Sequence, residues 1–131
     1  MLIVCHPHHH DVLPSLAQQL GIPLMRVSLA LSEALLEYAR ARRPRVAASL
    51  FNQLVMAYEE SIVGLHQIEL LFLPELQLDP LRLLEQVSRY KTLVVAWPGK
   101  YEEGCLIYGE PGHPEYSCYT ETEARIIEVS A

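Results

Sequence analysis

Two short runs with no charged residue, Leu2-Ile3-Val4-Cys5 and Thr92-Leu93-Val94-Val95-Ala96-Trp97, constrain the fold of this chain more than any other feature. A strand that shows one face to water alternates apolar and polar residues. A continuous apolar run is what a strand covered on both faces requires, and parallel sheets are covered in this way by helices. Strand-like and helix-like segments alternate over most of the chain, so the expected architecture is α/β, a three-layer sandwich around a mainly parallel sheet. With 131 residues, half of them apolar, the chain fills one core and is short for two, so residues 1–131 are read as a single domain.

The local signals between the two runs are specific. Asp11 is placed to cap a helix over Val12–Leu20, with Pro14 tolerated in its first turn and Gly21 closing it. Alternation from Pro23 to Ala30 predicts a second strand. Ser32 and Glu33 then open a helix with Leu31, Ala34, Leu35 and Tyr38 at helical spacing. Pro44 separates it from another, in which Val46, Leu50, Leu54 and Ala57 repeat on one face through Tyr58. A third strand is expected over Ser61–Gln67, followed by an apolar turn or short helix at Ile68–Phe72. Asp79 and Pro80 read as the cap and first residue of a helix that buries Leu81, Leu84 and Val87. Pro98-Gly99 ends the second apolar run, and shorter strands are expected at Gly104–Tyr108 and Arg125–Val129.

Composition narrows the function classes. A net charge of −6 argues against a protein whose whole surface tracks nucleic acid. The positive charge is nevertheless uneven, with Arg40, Arg42, Arg43 and Arg45 in one cluster. Such a cluster suits a helix C-terminus, where cations complement the macrodipole, or a contact with phosphate, nucleic acid or a partner. Cys5, Cys105 and Cys118 are odd in number and lack C-x-x-C spacing, against both a disulfide framework and a cysteine zinc site. No apolar stretch approaches the roughly 18 to 20 residues of a membrane span, and no secretory signal precedes the first run, so no membrane contact is expected and the cytoplasm is the expected location.

Four of the six histidines sit in the connection His6-Pro7-His8-His9-His10-Asp11. A loop between a strand and a helix N-terminus is where backbone N–H groups cradle phosphates. The working pattern is G-x-x-x-x-G-K-[ST]. Aligned on it, Cys5 and His10 take the glycine positions, Asp11 the lysine and Val12 the hydroxyl, and Asp11 would repel the anion. The spacing of His6, His8, His10 and Asp11 is also loosely similar to the H-x-H-x-D-H motif of metallo-β-lactamase-like hydrolases, and imidazoles with a carboxylate suit Zn²⁺. In that motif the aspartate stands one place earlier and a histidine follows it. A third reading is a polar connection without chemistry of its own, pH-sensitive through its imidazoles.

The stretches Gly64-Leu65-His66-Gln67-Ile68-Glu69-Leu70-Leu71-Phe72, Leu78-Asp79-Pro80-Leu81-Arg82-Leu83-Leu84, Thr92 to Gly99 and Tyr108-Gly109-Glu110-Pro111-Gly112-His113-Pro114-Glu115-Tyr116 resemble the BrxF family. These are small P-loop proteins of type-3 BREX bacteriophage-exclusion systems. The resemblance covers nearly the whole chain, and its most specific parts are W-P-G and G-H-P-E-Y. It implies a P-loop NTPase-like sheet with the first and third strands side by side, which would bring His66 toward the His6–Asp11 loop. It also implies that Cys5 through Val12 are a degenerate phosphate loop and that His66 stands where a Walker B aspartate belongs. Glu69 remains as the catalytic candidate, with capping of the following turn as the alternative. His6, His8, His10, Asp11 and His66 are the candidates for a metal, or for a polar network that replaces the nucleotide.

Trp97 ends a strand where open α/β sheets bind ligands, unless it is a core aromatic. Tyr101, Tyr108, Tyr116 and Tyr119 follow it and would suit a nucleic-acid or protein surface if exposed. The expectation is a non-hydrolytic accessory protein of phage defence without a cofactor, bound to other defence proteins, and compatible with a homo-oligomer. The alternatives are a metal-dependent hydrolase using a divalent ion such as Zn²⁺ at the histidine loop, and a nucleic-acid-binding module using the arginines.

Overall fold

The computed structural model describes residues 1–7 and 12–129. In chain order the elements are β1 (Leu2–Pro7), α1 (Val12–Leu20), β2 (Leu24–Arg26), α2 (Val27–Leu35), α3 (Arg43–Met56), β3 (Ile62–His66), α4 (Pro80–Val87), β4 (Thr92–Ala96), β5 (Lys100–Glu102), β6 (Cys105–Tyr108), β7 (Ser117–Tyr119) and β8 (Arg125–Val129). Short 3₁₀ turns occupy Arg40–Arg42, Glu69–Phe72 and Pro74–Leu76. Five strands form an all-parallel sheet in the order β2-β3-β4-β1-β8, and β5-β6-β7 form a separate antiparallel sheet. The α/β expectation and the two central strands agree with this architecture.

Alternation along the strands separates two faces. Val4, Val63, Leu65, Leu93 and Val95 point into one cluster with Leu31, Phe51, Leu84 and other residues of α2, α3 and α4. Cys5, Leu13 and Ala17 are buried but lie outside that cluster, which puts α1 on the opposite face, against β1 and β3. This is the arrangement right-handed crossovers demand when the chain steps away from β1 to β2 and then back across the sheet.

The second strand is shorter than its alternation suggests. Only Leu24–Arg26 pairs with β3, and α2 begins at Val27. The overriding signal is Val27, Leu31 and Leu35, a four-residue repeat whose members are all buried. The face expected on α3 is rotated by one residue: Ala47, Phe51 and Val55 are fully buried, Val46, Leu50 and Leu54 flank them, and Ala57 is exposed beyond the helix. Burying the Phe51 ring centres the interface there. β1 runs two residues past Cys5, with Pro7 opposite Val129. Finally, β4 lies between β1 and β3, so the first and third strands are not neighbours.

The arginine cluster lies at the opposite helix end from the one expected. Arg40–Arg42 is a 3₁₀ turn and Arg43 opens α3, so the cations stand at a helix N-terminus. Arg43 is held there by the preceding helix, its Nε donating to the carbonyls of Leu35 and Tyr38, both at 3.2 Å. The cap at Asp79 is as the sequence implies, accepting from the Arg82 N–H at 3.4 Å, with Pro80 at the helix start. Among the described residues no helix is long and apolar enough to cross a membrane.

Candidate functional site

The chain leaves β1 toward β2 on one side of the sheet, and β8 arrives on the other side. In open α/β sheets such a reversal places a crevice beyond the carboxyl ends of the strands. The residues that end the strands there are set by register. Arg26 pairs with His66, Cys5 pairs with both Ala96 and Ile127, and Leu65 pairs with Val95 one step earlier. Arg26, His66, Ala96, Cys5 and Ile127 therefore form one row across the sheet, on the α1 side. His66 and Cys5 are two strand spacings apart, about 10 Å between backbones.

His66 is the unusual member of the row. Among the described residues its Nε2 is buried without a hydrogen-bond partner. Burial, and then the neighbouring Arg26 guanidinium, hold its pKa below the ordinary histidine value. A neutral imidazole beside a guanidinium offers a divalent cation no anionic oxygen ligand, so Arg26 and His66 do not by themselves make a magnesium site. The backbone just after it is fixed. Gln67 adopts a left-handed conformation (φ 52°), which costs a non-glycine residue on the order of 1 kcal/mol. Ser28 offsets that cost: its N–H and Oγ both donate to the Gln67 carbonyl at 2.8 and 2.5 Å, and Oγ accepts from the Leu70 N–H at 3.1 Å. Arg26 Nε adds a 3.3 Å bond to Gln67 Oε1.

The other expected site residues separate into groups. His8, His9, His10 and Asp11 lie outside the described residues, while His6 and Pro7 end β1 and Val12 opens α1. Among the described residues, no three histidine, cysteine, aspartate or glutamate side chains gather to hold a metal. Glu69 is exposed in the first turn of its 3₁₀ segment and makes no capping bond. It lies instead toward Tyr108, whose hydroxyl is kept protonated above its usual pKa by burial and by the carboxylates of Glu115 and Glu69.

The two uncommon sequence strings prove to be architectural. Trp97 is buried and its Nε1 donates to the Ile107 carbonyl at 3.0 Å. A side chain on Gly99 would put its Cβ 1.9 Å from that same oxygen, so only glycine lets the small sheet close onto β4. Phe72 stacks on Tyr108 with centroids 3.9 Å apart and meets Trp97 edge-on at 5.5 Å. Tyr101, Tyr108 and Tyr119 pack against the core, leaving Tyr116 as the exposed one of the four. His113 sits between two turns, its N–H donating to the Glu110 carbonyl and its own carbonyl accepting from the Tyr116 N–H. Thr122 Oγ1 and the Glu123 N–H both donate to Glu85 Oε2, tying the approach to β8 onto α4.

Sequence reasoning missed the role of Ser28 and the groove that Arg40 and Arg43 share with leucines of the 3₁₀ turns. The leucine-rich spacing of residues 70–76 beside a distant arginine cluster was the available signal, and only the fold joins them. Comparison of the chain with family models, with curated proteins and with solved structures finds no match.

Proposed function

We propose that this chain is a non-hydrolytic, P-loop-like accessory protein that works by binding other proteins, in the bacteriophage-exclusion setting that its resemblance to the BrxF family implies. The observation that carries this reading is the fate of Cys5, His6 and Pro7. They occupy the first positions of the aligned phosphate loop, yet they are strand residues, paired with Ile127, Glu128 and Val129. The Cys5 carbonyl also accepts from the Trp97 N–H at 2.9 Å. Backbone paired with two neighbouring strands at Cys5, and with β8 at His6 and Pro7, is not free to wrap an anion.

The residues present do not fit a magnesium nucleotide. The aligned loop lacks both glycines, the lysine and the hydroxyl, and His66 with Arg26 beside it replaces a metal-binding carboxylate. Glu69 then has no activated phosphate to act on. Equilibrium binding of fluorescent ATP and GTP with Mg²⁺ tests the reading. No saturable binding is expected at micromolar concentrations. Low-micromolar affinity, with turnover lost on Glu69→Gln, overturns it.

A further inference from the structure

The end of α2, the arginine turn and the two following 3₁₀ segments enclose an open groove of about 510 Å³. Its floor is Leu35, Leu70, Leu73 and Leu76, and Arg40 and Arg43 stand on it. Leu36 lines the same groove with 73% of its surface exposed. Leu29, seven residues earlier, is 45% exposed on the surface of α2, with Ser32 and Glu33 between the two leucines.

Arg40 and Arg43 share the groove with one carboxylate, Glu75, and form no ion pair with it among the described residues. Among the described residues the ion pair present is Arg82 with Asp79, and none joins Arg40, Arg42, Arg43 or Arg45 to a carboxylate. Arg42 lies 5.8 Å from the centre of the Tyr38 ring and occupies the α3 cap position without a side-chain acceptor. The positive end of a 14-residue helix therefore adds to four guanidinium groups. A chain of net charge −6 has concentrated cations and exposed leucines at one place.

We infer that this groove docks an acidic amphipathic segment of a partner protein, leucine-like side chains on the floor and carboxylates on Arg40 and Arg43. Charge and side-chain type decide against the other occupants. A symmetric dimer through this face would set arginines against arginines. A nucleic-acid strand would find aliphatic side chains where stacking needs aromatic faces. Arg43 is already fixed by the Leu35 and Tyr38 carbonyls, so little side-chain entropy is lost when a carboxylate meets it.

The inference rests on the reading of the chain as an interaction protein, and its test is separate from the nucleotide test. The probe is a fluorescein-labelled helical peptide of about 15 residues with leucines at i, i+3, i+4 and i+7 and glutamates flanking them. Anisotropy titration is expected to saturate, and to weaken about tenfold or more in a Leu36→Ser, Arg40→Glu double variant and for a peptide with lysines in place of the glutamates. Both substituted side chains are exposed, and an unchanged circular dichroism spectrum checks the fold. The inference is overturned by an absence of saturable binding, by equal affinity for the two peptides, or by insensitivity to the double variant. It is equally overturned if the variant instead abolishes a homodimer or tighter binding to a single-stranded oligonucleotide. ATP turnover by the unsubstituted protein removes the non-hydrolytic reading and leaves this result standing; failure of the peptide without ATP binding removes the groove alone.

Discussion

On one face of the main sheet, Val4, Val63, Leu65, Leu93 and Val95 meet three helices and keep none of their surface exposed. On the other face, α1 contributes the buried Leu13 and Ala17, while Ile127 remains 46% exposed and Arg26 and His66 share the surface with it. A helix lying along the strands covers about 10 Å of the sheet's width, and five strands span about 19 Å, so one such helix leaves part of the sheet open. The difference teaches where stability and polarity reside in this molecule. The three-helix face packs into a continuous apolar core; the one-helix face carries the charged Arg26 and the half-buried imidazole of His66.

Substitutions that shrink the core on each side put the comparison at risk. Phe51→Ala, on the three-helix face, is expected to cost about 4 kcal/mol in urea denaturation, and Leu13→Ala, under the single helix, about 2 to 3 kcal/mol because that side can collapse into its void. Equal losses would mean that the two faces are equally well packed. Next in size is Gly99→Ala, which forces the small sheet away from β4 and is expected to remove about 2 kcal/mol. A Gly99→Ala protein with unchanged stability would show that the β5-β6-β7 sheet adds nothing to the larger core.

The smallest effect belongs to His66 and reads the other face. Because its folded pKa lies below the ordinary 6.5, the unfolded chain binds the extra proton first. The stabilising preference for neutral His66 is therefore complete above about pH 6.5 and is lost as pH falls toward the lowered folded value. Thermal midpoints are expected to drop between pH 7 and 5.5 and to drop less in His66→Leu. A midpoint that rises on acidification would mean that a carboxylate faces the imidazole, and the row would then be a charged site.

Much of this architecture was legible in the residues. The runs at β1 and β4, the Asp79-Pro80 start of α4 and the break at Pro98-Gly99 are short-range signals, and short-range physics decides them. Val27 to Ala30 misled because alternation and helical repeat overlap over four residues, and the contact with Phe51 and Leu71 in the core settles it in favour of helix. The candidate site was less legible. The chemistry of Cys5 through Val12 can be read as types of residue, but that β4 intervenes before His66 is a property of strand order. The arginines could be seen as a cluster; that leucines 70 to 76 lie under them could not.

β1 has a position in the sheet that reaches beyond its own stability. It has the lowest residue numbers of any strand, yet both its neighbours, Thr92–Ala96 and Arg125–Val129, come from the last third of the chain. The pairings that complete its ladder span roughly 90 to 120 residues, the kind of non-local contact that slows folding. During synthesis an apolar strand therefore waits with both edges open until Thr92–Ala96 and Arg125–Val129 have been made. Unpaired apolar edges of this kind are what make a folding intermediate prone to aggregate.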